Sequence, residues 1–137
     1  MNISEHITFE EATHTKSGFP NLPDNAAMSN MVYVAVNLFE PLRAHFGVPI
    51  IVNSFFRSKE VNRHIGGVPT SQHVTGCAMD LACNTVSVQD MFDFVLHNLT
   101  YDQIIHEGTW LHVSLKKSNN RFQSLRKTKT GYERYPA

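Results

Sequence analysis

Cysteine is scarce in this 137-residue chain: there are two, Cys77 and Cys83, and neither has a CxxC neighbour. A zinc finger built on thiolates is therefore excluded. If both lie on one strand, six steps hold them roughly 20 Å apart, too far for a disulfide. We expect both to be small buried hydrophobes. Long apolar runs are missing too, and none approaches the ~18 residues a membrane span needs. Met1–Pro20 lacks the charged-then-apolar layout of a secretory signal, so the chain is expected in the cytoplasm as synthesised.

Net charge is absent as well, with twelve Lys/Arg against twelve Asp/Glu. It is unevenly spread: residues 1–115 carry five basic and eleven acidic residues, and residues 116–137 carry seven basic and one acidic. A basic end invites a nucleic-acid or anionic-polymer partner. A solvated edge strand guarded by lysines has the same composition, and overall neutrality argues against specific nucleic-acid binding. The length suits one domain with its own core. We expect that domain to span 1–137 as a monomer, with 116–137 an edge strand or tail.

Helices and strands are mixed along the chain. Apolar residues from Met28 to Phe46 recur at three and four, one face of a helix over about Asn25–Phe46. Pro41 should kink it or open a new first turn, and Gly47 should end it. Pro49–Ser54 reads as a strand, Ser58–Ile65 as a short helix capped by Ser58, and Cys77–Cys83 as a strand. A helix starts at Ser87. Asp102–Glu107 and Trp110–Leu115 form a hairpin around Gly108-Thr109, a glycine at the first loop position being the demand of a type II′ turn. The class is α+β, a small antiparallel sheet with helices packed on one face.

That hairpin makes a geometric prediction. Ile105 faces His112 and Gln103 faces Ser114, so Glu107, His112 and Ser114 share one face while Ile104, Leu111, Val113 and Leu115 share the other. Glu107 and His112 become diagonal neighbours, ~7–8 Å apart between backbones. His106 points away from His112. A second constellation is Ser71-Gln72-His73-Val74-Thr75-Gly76-Cys77-Ala78-Met79-Asp80, where Gly76 and Ala78 leave room for close backbone approach. An acid within Ala-Met-Asp-Leu-Ala is costly to bury unpaired; a metal is one solution and an arginine partner another. Two histidines and a carboxylate leave the fourth tetrahedral position of a catalytic zinc open to water. Such an ion would carry a formal charge of +1, enough to acidify water and polarise a carbonyl. Satisfied structural residues could share the spacing.

The order of motifs resembles the zinc D-alanyl-D-alanine carboxypeptidase family, whose fold is shared with the hedgehog signalling domain. The matching pieces run from Leu42-Arg43 and Gly47-Val48-Pro49-Ile50 through Ser54, Arg57-Ser58, Val61-Asn62 and Ile65-Gly66-Gly67. They continue with Ser71-Gln72-His73, Gly76, Ala78, Asp80 and Trp110-Leu111-His112-Val113-Ser114. Compact bacterial and phage peptidase domains also share Ser4-Glu5-His6 to Phe9 and Asn21-Leu22-Pro23. The resemblance implies one Zn²⁺ per chain on His73, Asp80 and His112, with Arg57 steadying charge on the scissile carbonyl. Ser71, Gln72 and Ser114 are then expected to meet the substrate. Better-known members place an acid three residues before the last ligand, which here is Thr109; Glu107 stands five before, on the correct face, where the compact look-alikes also carry a glutamate. It is the expected general base.

The implied activity is hydrolysis of peptidoglycan stem-peptide bonds, as a carboxypeptidase or an endopeptidase. Two other functions fit the same sequence. One is a non-catalytic zinc-containing module of this fold that recognises cell wall, and the other an anionic-polymer binder acting through the basic end.

Overall fold

A computed structural model describes residues 1–137. The chain opens with β1 (Asn2–Ser4) and β2 (Ile7–Thr8), an antiparallel pair, followed by the single turn α1 (Phe9–Ala12). The amphipathic stretch then forms α2 (Asn25–Val34), a π-helical turn over Ala35–Phe39, and α3 (Glu40–Phe46). Pro41 has no N–H to donate inside a helix. The wide turn, closed by Glu40 N–H on the Ala35 carbonyl, lets α3 start afresh with Pro41 in its first turn. Gly47 ends it in the left-handed conformation, φ 67°.

There follow β3 (Ile51–Ser54), α4 (Lys59–His64), β4 (Ala78–Ala82) and α5 (Val88–Asn98). Ser58 and Ser87 cap α4 and α5 by accepting from the N–H groups of Val61 and Asp90. Last come β5 (Gln103–His106), β6 (Leu111–Ser114), β7 (Gln123–Thr128) and β8 (Gly131–Arg134). The class is α+β, with β1–β2 apart from a six-stranded sheet of order β3-β4-β6-β5-β7-β8.

Two features extend the expected sheet. The basic segment supplies an edge strand and one more: it forms the hairpin β7–β8, with β8 at the edge of the sheet. And β7 runs parallel to β5, the one parallel pairing in an otherwise antiparallel sheet. The β5–β6 register is the expected one, Gln103 opposite Ser114 and Ile105 opposite His112. Gly108 has φ 96° and Thr109 does not have a positive φ, as a type II′ turn requires.

The two faces of the sheet divide the chemistry. Met79, Leu81, Ile104, Leu111 and Val113, all fully buried, join Met31, Leu38, Leu42, Met91, Phe92 and Val95 from the helices in one core. On the other face, partners run in a single row across all six strands: Ser54, Asp80, His112, Ile105, Leu125 and Arg134. A bulge between Val52 and Ser54 brings Ser54 opposite Asp80. The loop leading into β4 is pressed against α2 at Gly76, where a Cβ would stand 2.6 Å from the Ala27 carbonyl oxygen. Only glycine fits that approach, and at φ 79° only glycine adopts it cheaply.

Candidate active site

Three elements converge on the polar face. Asp80 lies in the middle of β4, His112 opposite it on β6, and His73 in the loop that Gly76 holds down. Their nearest ligand atoms all lie within 4.8 Å of one another. His112 Nδ1 stands 3.0 Å from Asp80 Oδ1, and His73 Nε2 stands 3.4 Å from Asp80 Oδ2. Burial alone would raise the Asp80 carboxyl, but the hydrogen bond from His112 and the nearness of both imidazoles outweigh it and hold it well below the usual carboxylate range.

His73 decides what this cluster is for. Its Nδ1 lies 2.8 Å from the Phe55 carbonyl, an acceptor only, so Nδ1 carries the proton. The neutral ring is then left with a bare lone pair on Nε2. That atom is buried and has no hydrogen-bond partner, because Asp80 Oδ2 lies off its direction. A buried lone pair facing a carboxylate is unfavourable unless a proton or a metal cation lies between them. The spacing also suits a cation: donors ~2.0–2.1 Å from a tetrahedral zinc stand roughly 3.3 Å from each other. Two histidines and a carboxylate are a borderline-soft set of zinc type. The residues fit the metal.

Arg57 completes the centre. It enters from the turn between β3 and α4 with its guanidinium mostly covered, Nη2 3.8 Å from Asp80 Oδ2. Nε donates to Ser54 Oγ at 3.3 Å and Nη1 to Asn62 Oδ1 at 3.0 Å. Burial pulls its pKa down, and the charge of Asp80 opposes that in part. The backbone locks Arg57 and His73 together, since Arg57 N–H donates to the His73 carbonyl at 3.1 Å. Arg57 and Asp80 open into a cleft of about 370 Å³ whose walls include His14, Asn53, Ile65 and Trp110. Glu107, half-exposed at the end of the β5–β6 hairpin, belongs to the same sheet face as His112.

Two expected substrate contacts are placed elsewhere. Gln72 turns away from the cleft: its amide donates to Asp102 Oδ2 at 3.0 Å and accepts from Arg121 Nη2 at 3.4 Å. Ser114 is fully buried and its hydroxyl is spent on the main chain of Gln103. Ser114 has no exposed surface to offer a substrate, and both ends of the Gln72 amide are engaged by Asp102 and Arg121. Ser71 accepts from His73 N–H at 3.3 Å, which makes it a loop cap that remains partly accessible. His106 packs on Phe92 on the helix side, opposite His112.

Several supporting residues stood in the matching motif pieces without an expected role of their own. Asn62, almost fully buried, grips Arg57 with one end of its amide and the Val68 carbonyl with the other. Asn21 ties the Phe56 carbonyl and the Ser58 N–H to the opening segment. An asparagine on the buried side of a short helix, or beside two prolines, was the available hint. The carbonyl of Phe55 could not be read from any side chain.

An α+β sheet that gathers two histidines and an aspartate, with an arginine beside them at a cleft, has the donor set of a metal-dependent hydrolase. A family model for peptidase M15 matches residues 5–114, and the chain belongs to that family. The family consists of zinc peptidases of the D-alanyl-D-alanine carboxypeptidase type. No curated protein compared with the chain matches it significantly.

Proposed function

We propose that this chain hydrolyses a peptide bond in the stem peptides of bacterial peptidoglycan, using one zinc ion held by His73, Asp80 and His112. The observation that carries the reading is the buried, unpartnered Nε2 of His73, aimed among the other two ligand atoms. Bound there, zinc supplies Lewis acidity, acidifying a water and polarising the scissile carbonyl. The chain's own residues do the rest. Asn62 and Ser54 aim the Arg57 guanidinium, which offers fixed positive charge to the oxygen of the carbonyl as it becomes anionic. Glu107 takes the proton of the attacking water and returns it to the leaving amine. The cleft beside Trp110 receives the peptide.

The test pairs metal content with digestion of purified stem peptides. The wild type is expected to carry about one zinc per chain, and His73→Ala none. Glu107→Gln should keep its zinc and lose about 10²–10⁴-fold in kcat. A wild type that takes up no zinc when incubated with it overturns the reading. So does a zinc-loaded protein that cleaves no stem peptide, which would leave a binding module of the same fold.

A further inference from the structure

The peptidase M15 match ends at residue 114, yet the sheet continues for two more strands. Those strands lie against the side of the site that carries Glu107. β7 pairs with β5, placing Leu125 beside Ile105, and β8 pairs with β7, placing Arg134 beside Leu125 and Tyr132 beside Lys127. Tyr132, two residues from Arg134, therefore shares the face that carries Asp80 and His112. Its hydroxyl donates to Glu107 Oε1 at 3.2 Å.

Glu107 has no other restraint on its side chain. It follows directly after β5 and precedes Gly108, with open space where a Cβ of that glycine would stand, and no cation lies within salt-bridge distance of it. The phenol of Tyr132 is the single hydrogen-bond partner of that carboxylate. A free glutamate at a turn would sample several rotamers, few of them facing the metal ligands.

The hairpin is itself well fastened, so Tyr132 is not a loose arm. Arg126 pairs with Glu133 across the strands and lies over the Tyr135 ring at 4.3 Å. Tyr135 packs on Phe92 of α5 and donates to Gln89 at 3.0 Å. At the hairpin's base, Arg121 is locked onto buried Asp102 through its backbone N–H and its guanidinium. Burial and the charges of Glu107 and Asp80 all raise the Tyr132 pKa, so the phenol keeps the proton it donates.

Taking Glu107 as the general base proposed above, we infer that Tyr132 is its positioning residue: the phenol holds Oε1 and leaves Oε2 free to exchange the proton of the attacking water. The strands beyond the family-matched region thus complete the catalytic centre. They orient a group whose place in the chain, five residues before His112, leaves it on a turn rather than within a strand.

The experiment compares the wild type with Tyr132→Phe, Tyr132→Ala and Glu107→Gln, reading zinc content, melting temperature, kcat and KM on one stem peptide. Tyr132→Phe should bind one zinc, melt with the wild type, and keep its KM within about twofold while kcat falls about tenfold. Tyr132→Ala should lose about as much, since the hydroxyl is the functional part. Tyr132→Phe with wild-type kcat, beside an inactive Glu107→Gln, overturns the role of Tyr132 and leaves Glu107 as the base. Full activity in Tyr132→Phe with loss only in Tyr132→Ala assigns the ring to packing and overturns it too. A Glu107→Gln variant as active as the wild type removes the base itself, and the positioning role falls with it.

Discussion

His73 and Phe55 are joined by a 2.8 Å hydrogen bond from the imidazole Nδ1 to a main-chain carbonyl. That bond fixes the tautomer and turns the other ring nitrogen toward Asp80. Outer partners of this kind orient a metal-binding histidine and raise its basicity. Because the three ligand atoms come from separate elements, an ion among them links the loop to both strands.

Zinc is accordingly expected to stabilise the fold. At a hundredfold excess over its dissociation constant, a ligand of the native state adds about 2.7 kcal/mol. For a chain of this size that is roughly 10 °C in melting temperature. Thermal melts with zinc and with a chelator measure the difference, which should vanish in His73→Ala.

Gly67→Ala should damage activity more than stability. A Cβ at Gly67 would stand 2.1 Å from Asn62 Oδ1 and 3.1 Å from Arg57 Nη1. Asn62 cannot retreat, since its amide also holds the Val68 carbonyl. The guanidinium must shift, and misplacement by about 1 Å can cost about a hundredfold in rate. The expected result is kcat/KM down about a hundredfold at unchanged zinc content, read by steady-state kinetics beside metal analysis.

Gly76→Ala tests the fold instead. The added methyl would meet the Ala27 carbonyl and Met31 Cγ, at a positive φ. Backbone strain and overpacking together should cost about 2–4 kcal/mol. Urea unfolding measures it as a lower midpoint at unchanged slope.

Asp102 gives the acid limb of stability. Burial would raise its carboxyl, but hydrogen bonds from the side chain and backbone of Arg121 and from Gln72 outweigh it, taking the pKa from 3.8 to about 2. A lowered carboxylate pKa stabilises the fold above the unfolded value and ceases to do so as pH falls through the folded one. On the order of 2 kcal/mol is therefore present above about pH 4 and lost by about pH 2. Asp102→Asn should be less stable by that amount at neutral pH and equal to the wild type near pH 2. Denaturant unfolding across that range measures both ends.

What the sequence revealed follows the reach of each signal. The β5–β6 hairpin was readable to the residue because a two-residue loop and strict alternation set its register locally. The grouping of His73, Asp80 and His112 came from the family resemblance instead, since no local pattern joins a loop to two strands. The π-helical turn was hidden, since apolar residues at three and four look alike with or without one wide turn. The parallel β5–β7 pair was hidden for another reason. It is non-local, and the charged β7–β8 sequence has no apolar alternation to announce strands. Gln72 and Ser114 were placed by their neighbours in a motif. Their true partners lie far along the chain: Asp102 and Arg121 are 30 and 49 residues from Gln72, and the Gln103 main chain is 11 from Ser114. Tyr132 sat in the same silent hairpin.

The row from Ser54 to Arg134 crosses every strand of the sheet, and strands do not lie flat beside one another. Each step turns the next strand by roughly 20–25°. Five such steps carry the two ends of the row past a right angle. A straight, rigid molecule seated at Arg57 can therefore follow the polar face for only two or three strands before it lifts away. A bent or branched one can stay down as far as Tyr132, so the curvature of the sheet is itself a filter on what the cleft can hold.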